Sequence, residues 1–422
     1  MKSLPVLSSD TQLGIQQQLR KLYKRIVEYS GIIPDLRFNN TSYQGLRNYL
    51  DPIHRRCEKV EFGVGSYTHK VTAVNVAYSG GVYSPTQNRI YLVPYLQSGE
   101  SQWHYIDCNT GEVVAYTHGV TVVDFAYQGG VYSPTQNRIY FVPSAQGSQA
   151  IWHYIDCNTG EVVAYVNGVT AVSYAYYGGV YSPTQNRIYF VPSWQSDQSQ
   201  WHYIDCNTGD VVTYTHGTIV VKYAYSGGVY SPTQNRIYFV PSDQGNEVEW
   251  HYIDCDTGDV DVVAYRPGIT TVAYYTGGVY SPIQNRIYFV PSDQGDEAEW
   301  HYINCNTGEV VAYTHGATAL DFAYQGGAYN PIQNRIYFSP AAQGPQSIWH
   351  YIDCNTGEVV AYVHSITAVD YSYNGCIYSP IQNRIYFVPY SQGPQLEWHF
   401  IQDYSDVKVS RNLMAGTLFN KY

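Results

Sequence analysis

Along residues 127–176, short β-rich runs alternate with clusters of turn formers, a pattern of strands rather than helices. Gly129-Gly130-Val131-Tyr132-Ser133 predicts a first strand. Pro134-Thr135-Gln136-Asn137 predicts a tight turn, and Arg138 to Val142 a second strand. Pro143 opens a loop that leads to a third strand at Trp152 to Asp156. Asn158-Thr159-Gly160 then turns into a fourth, Glu161 to Tyr165.

The same wording returns along the chain. Gln-Asn-Arg-Ile-Tyr recurs with its arginine at Arg89, Arg138, Arg187, Arg236, Arg286, Arg335 and Arg384, at intervals of 49 residues with a single 50. Trp-His-Tyr-Ile-Asp-Cys-Asn-Thr-Gly begins at Trp103, Trp152, Trp201, Trp250, Trp300 and Trp349, with a degraded copy at Trp398. Four short strands in a unit of this length are the signature of a propeller blade, so seven units predict an all-β, seven-bladed β-propeller of four-stranded antiparallel blades. Internal prolines and glycines in every unit exclude paired-helix solenoids. A β-solenoid is the other architecture the spacing allows.

The ends predict closure. Tyr67-Thr68-His69 matches Tyr116-Thr117-His118, so residues 62–67 are a fourth strand without its first three. The last unit fades near Asp403 and lacks its fourth. One blade shared between the termini closes the ring and hides its edges. The expected organisation is a helical N-terminal extension over 1–57, the propeller over 58–408 and a tail over 409–422.

In the extension, Leu13, Leu19, Leu22, Tyr23, Ile26 and Tyr29 form one apolar stripe over residues 10–29, capped by Asp10 or Thr11. A second helix is expected over Thr41 to Leu50, ended by Asp51-Pro52. Arg20, Lys21, Lys24 and Arg25 make the first helix basic. It is expected either to pack on acidic blades or to recruit another protein.

Charge divides unevenly. Residues 1–60 hold ten Lys/Arg against five Asp/Glu, whereas residues 61–422 hold 13 against 29. Seven of those 13 are the repeated arginine, so the rest of the propeller is acidic and unsuited to nucleic acid. Neither a signal peptide nor a membrane span is expected, and the chain reads as a soluble, unsecreted monomer that needs no cofactor.

The blade wording, Gly-Gly-Val-Tyr-Ser-Pro, then Arg-Ile-Tyr-Phe-Val-Pro, then Tyr-Ile-Asp-Cys-Asn-Thr-Gly, resembles the blades of YVTN-type and Kelch-like propellers. Its near-identical copies also resemble the tandem-repeat propeller proteins of giant amoeba-infecting viruses of the mimivirus and megavirus group. That resemblance covers residues 62–403. It implies a protein made in the host cytoplasm, possible as a virion component, and it transfers no catalytic residue. Departures are local: Cys376 replaces the second glycine of the seventh unit, Asn330 a serine and Asp256 an asparagine.

In a four-stranded blade the first-to-second and third-to-fourth turns lie on one face of the disc. The second-to-third loops and the connectors between blades lie on the other. The first face carries nearly constant turns. The second carries loops of fixed length and free content, from Ser242 to Glu249 in one blade to Ala341 to Ile348 in another. Connectors vary at Asn75, Asp124, Ser173, Lys222, Val272, Asp321 and Asp370, positions expected to ring the channel mouth. Acidic side chains crowd two neighbouring blades at Asp243, Glu247, Glu249, Asp293, Asp296, Glu297 and Glu299, with Trp194 as an anchor in the adjacent loop. Drift in exposed loops explains such variation without function. A binding surface for a basic protein partner explains the acidic bias as well.

The repeated chemistry reads as structural. Equivalent cysteines (Cys108, Cys157, Cys206, Cys255, Cys305 and Cys354) should lie roughly 12–15 Å apart, beyond disulfide reach, and be buried free thiols of a reducing compartment. His104 and Cys108 share a strand face about 13 Å apart, too far for one metal. The strand histidines should pack between blades. The arginines should staple blades by bonding carbonyls or a neighbouring aspartate. No Ser/His/Asp set or carboxylate pair is unique to one blade. A non-enzymatic interaction platform is therefore the first reading, and a lectin stacking sugars on tyrosines the second. An enzyme using Asp124, Asp321 and Asp370 in the channel is the third.

Overall fold

A computed structural model describes residues 62–403, apart from 72, 148, 196–197, 219, 244–248, 270–273, 294–296, 318–320, 344–345, 365, 367–368 and 394. The expected extension over 1–57 and tail over 409–422 lie outside the described residues. Among those described, 28 strands pair into seven four-stranded sheets. Blade 1 comprises Tyr78–Ser84, Arg89–Pro94, Gln102–Asp107 and Val113–Thr117. Blades 2 to 6 begin at Tyr127, Tyr176, Tyr225, Tyr275 and Tyr324. Blade 7 takes Tyr373–Ser379, Arg384–Pro389 and Glu397–Asp403, and its outer strand is Phe62–Thr68. First and last strands thus pair, and the ring closes as its ends predict.

Each core lies between two blades. Tyr91, Val93 and Trp103 of blade 1 pack on Tyr127, Ile139, Phe141, Ile155 and Cys157 of blade 2. Trp103 meets Phe141 edge-on, their ring centroids 6.0 Å apart. Blade 7 presents Tyr386, Val388 and Trp398 to Tyr78, Ile90 and Ile106 of blade 1 in the same way. The second strands are apolar on both faces for this reason: every blade is covered from two sides.

The hairpin between first and second strands turns on Asn88 and its counterparts, all left-handed, with φ of 50–56°. Asparagine tolerates that region, which accounts for its presence in every Gln-Asn-Arg motif. At the axis, each first strand carries a bulge: Tyr78 pairs with Pro94, but Gly81 already pairs with Leu92. The bulge recurs in all seven blades. It contains a glycine with positive φ, and these seven glycines abut around the ring. A Cβ on Gly80 would lie 3.3 Å from the Cα of Gly129, and one on Gly129 would lie 3.3 Å from that of Gly178. The chain returns to its start at Gly375, whose Cβ would face Gly80 at 3.7 Å.

The second glycine of the pair is fixed by the preceding blade. A Cβ on Gly130 would meet Val82 Cγ2 at 3.0 Å and Val93 Cγ2 at 3.2 Å. Blade 6 carries Ala328 and Ser339 where blade 1 has those valines. Against that reduced wall, blade 7 replaces the glycine with Cys376, whose buried Sγ donates to the carbonyl of Tyr337 at 3.9 Å. Ser339 Oγ donates to the carbonyl of Gly375 at 3.0 Å. Three departures therefore form one complementary contact.

Candidate interaction surface

The constant motifs resolve into packing. Tyr324 and the Nδ1 of His350 share a 2.6 Å hydrogen bond between the first and third strands of one blade, and Tyr78 and His104 pair likewise. The strand histidines thus find their polar partner inside their own blade rather than across the interface. Burial lowers the imidazoles of His104, His153, His202, His251, His301, His350 and His399 to about 4. Burial also pushes the thiols of Cys108 and Cys157 up to about 11.

The arginines act chiefly within the blade too. Arg89 lies over the ring of Tyr105, Cζ to centroid 4.3 Å, and Arg138 over Tyr154 at 4.4 Å. Arg187, Arg236, Arg286 and Arg335 repeat the contact on Tyr203, Tyr252, Tyr302 and Tyr351, and Arg384 uses Phe400. The Nη1 of Arg89 donates to Tyr91 at 3.3 Å, and that hydroxyl donates to Gln87 at 2.6 Å. The next blade enters through a glycine: a Cβ on Gly160 would sit 3.3 Å from Arg89 Nη1. Arg187 also donates to the carbonyl of Gly258 in blade 4 at 3.3 Å. Arg236 also meets Asp254 at 3.4 Å, within its own blade.

This face is less uniform than its motifs imply. Thr86 and Thr135 donate to Asn137 and Asn186 of the following blade at 2.9 and 2.6 Å. Blades 5, 6 and 7 substitute Ile283, Ile332 and Ile381, all more than half exposed.

On the opposite face, the connectors into blades 1 to 4 and into blade 7 each thread between two loops. The N–H of Phe125 donates to the carbonyl of Tyr95 in blade 1 at 2.7 Å, while its own carbonyl accepts from Ala145 of blade 2 at 2.9 Å. Val76, Tyr174, Tyr223 and Tyr371 donate in the same manner. Val76, Phe125, Tyr174, Tyr223, Phe322 and Tyr371 are left-handed, with φ of 54–60°. Bulky residues avoid this region, at a cost of order 1–3 kcal/mol each. Yet Tyr174, Tyr223, Phe322 and Tyr371 are 42–49% exposed. The result is a crown of four exposed aromatic side chains, on the connectors into blades 3, 4, 6 and 7.

The variable connector residue precedes each crown position. Asn75 accepts from the N–H of Gly393 at 2.8 Å, and Asp124 from that of Ser98 at 3.0 Å. Both tie down the loop of the preceding blade. The residues before each glycine pair, Ser79, Gln128, Tyr177, Ser226, Thr276, Gln325 and Asn374, stand next to the glycines that abut around the ring. Gln325 of blade 6 donates to the Tyr177 hydroxyl of blade 3 at 3.0 Å, a contact possible only across the channel. These seven positions also differ from copy to copy, so the variation that singles out Asp124 and its counterparts could have found them.

Variable positions meet in pairs across blade boundaries. Lys222 of the connector into blade 4 places its Nζ 4.8 Å from the ring of Trp194 in the loop of blade 3. Trp194 in turn meets Tyr223 edge-on at 4.7 Å. Partial burial and the neighbouring Asp321 raise the carboxyl of Asp293 above its ordinary range. Asp243 is exposed and accepts from Tyr274 at 3.3 Å. Glu297 and Asp370 are exposed on their own blades. Glu249 faces Arg266 at 3.6 Å. Glu247 and Asp296 lie outside the described residues. Among the described residues, no helix is long and apolar enough to cross a membrane.

No family model matches the chain, and no curated protein matches it in sequence. Solved structures do. A chain of hydrazine synthase from Kuenenia stuttgartiensis shares 13% identity at a TM-score of 0.56, covering 80% of this chain and 98% of that one. The β-propeller domain of Cps50 (Swd1) from Myceliophteria thermophila shares 9% at a TM-score of 0.53, covering 80% and 100%. A chain of the mitotic checkpoint complex shares 11% at a TM-score of 0.52, covering 81% and 91%. Identity this low speaks for architecture alone. By strand order, ring closure and these likenesses, the chain is an all-β, seven-bladed β-propeller.

Proposed function

We propose that the propeller is a non-enzymatic platform that binds a protein partner through the face of variable loops. The observation that carries this reading is the crown. Exposed aromatic side chains stand on strained connectors, on the face where the copies disagree. Large aromatic side chains are the commonest anchors of protein interfaces, and strained backbone clusters where it serves function. Propellers of the same architecture include a chain of the mitotic checkpoint complex, which supports a partner of this class.

The acidic side chains select the partner's charge. Asp243, Asp293, Glu297, Asp321 and Asp370 occupy blades 4 to 7 of this face, so a partner with a basic surface fits it. The likeness of the blade wording to giant-virus propellers supports a protein that works in a host cytoplasm. Affinity capture with the intact chain, followed by Asp243→Lys and Asp293→Lys, tests the reading. A recovered protein that both reversals release supports it. Recovery unaffected by the reversals removes the acidic face from the argument, and glycan-array binding lost on replacing the crown tyrosines would make the surface a lectin.

A further inference from the structure

The crown differs at one place in a way that concerns two residues at once. In blade 3 the loop position that is Ala145 in blade 2 and Asp243 in blade 4 becomes Trp194. Across the boundary, the connector position that is Asp124 into blade 2 becomes Lys222. The exchange replaces a carboxylate tie to backbone with an ammonium over an indole. Tyr174 and Tyr223 flank that indole, their centroids 6.5 and 4.7 Å from it. Both keep more than two-fifths of their surface exposed, so Lys222 does not cover the aromatic faces around it.

We propose that Tyr174, Trp194 and Tyr223 form a socket for an arginine side chain of a protein partner, and that Lys222 occupies it in the free protein. The proposal rests on the reading of this face as a protein-binding surface. A cation over an aromatic ring at an exposed site is a weak contact, worth roughly two- to fivefold in a binding constant. Lys222 is exposed and carries a flexible, strongly hydrated ammonium, so it leaves readily. A guanidinium is planar, stacks on tyrosine and tryptophan faces and surrenders water more easily. The rim suits it as well. The N–H of Asp243 is bonded to the carbonyl of Tyr223 at 3.0 Å, which sets an exposed carboxylate residue beside the socket.

The test uses the full chain labelled with fluorotryptophan and short Gly-Ser peptides that carry one arginine, one lysine or one glutamine. Eight tryptophans give eight fluorine resonances, and Trp194→Phe identifies its own by loss. The arginine peptide is expected to shift the Trp194 resonance alone, the lysine peptide to bind several-fold more weakly and the glutamine peptide not at all. Lys222→Ala should tighten the arginine peptide about two- to fivefold, because it vacates the ring and removes a like charge. The seven repeat tryptophans report that each variant is folded. A Trp194 resonance unmoved by the arginine peptide overturns the socket, as does a Lys222→Ala variant that binds it no better. Either result, with a captured protein still released by Asp243→Lys and Asp293→Lys, leaves the platform standing without this socket. A responsive Trp194 with no face-dependent partner sinks the platform instead.

Discussion

The side-chain amide of Gln325, in blade 6, donates to the hydroxyl of Tyr177, in blade 3, at 3.0 Å. Blades 4 and 5 separate them on one side of the ring and blades 7, 1 and 2 on the other. This strut crosses the axis and couples opposite sectors of the disc. Tyr177→Phe and Gln325→Ala should each cost about 1 kcal/mol, with a coupling of about 0.5–1.5 kcal/mol in the double-mutant cycle, read by urea unfolding. Zero coupling would mean the strut is not formed in solution.

The glycine ring makes a graded prediction. Gly129 and Gly119 both have positive φ, 81° and 66°, but an added Cβ meets Gly178 at the first and nothing within 4 Å at the second. Gly119→Ala should cost about 1 kcal/mol from backbone strain alone, and Gly129→Ala should cost more, about 2–3 kcal/mol, by thermal or denaturant unfolding. Equal losses would show that the ring is looser than its geometry.

Acid should unfold the propeller through its histidines. Folding lowers seven imidazoles to about 4 from an ordinary value near 6.5, so the unfolded chain binds more protons between these limits. Stability is therefore full above about pH 6.5 and falls as pH drops towards 4. Denaturant midpoints measured across that window should fall steeply, and His350→Gln should flatten the slope. A midpoint independent of pH over the same range contradicts the burial of these rings.

The arginine contact is separable from binding. Arg138→Met removes the guanidinium from the face of Tyr154 and from the Tyr140 hydroxyl, on the face away from the crown. It should lower stability by about 0.5–2 kcal/mol and leave partner capture unchanged. Loss of capture at full stability would transfer function to the constant face.

Much of the fold is legible from repetition, because each copy confirms the boundaries of the others. Phe62–Thr68 is recognisable as a missing fourth strand by comparison with Val113–Thr117 alone. The candidate surface is less legible. Asp124 varies between copies and so points to the face of variable loops, but its carboxylate serves the neighbouring loop, which no spacing announces. The left-handed backbone of Phe125 and Tyr174 follows from hydrogen bonds made to a different blade. Tyr177 and Gln325 are 148 residues apart, a contact that arises only once the ring exists. Trp194 is visible as an odd residue, whereas its pairing with Lys222 needs the connector geometry.

Near-identical blades raise a problem of addressing. A blade whose neighbour surfaces match every other blade's can stack in the wrong order, and misassembly of similar modules is a familiar hazard of repeat chains. The contact of Cys376 with the wall of Ala328 and Ser339 removes that degeneracy at one seam. Placed after blade 1, the thiol would extend from a Cβ already 3.0 Å from Val82. Blade 7 is thereby directed to blade 6, and blade 7 is the one that must receive the N-terminal strand. A single cysteine thus marks one seam of a nearly repetitive circle as the place at which it ends.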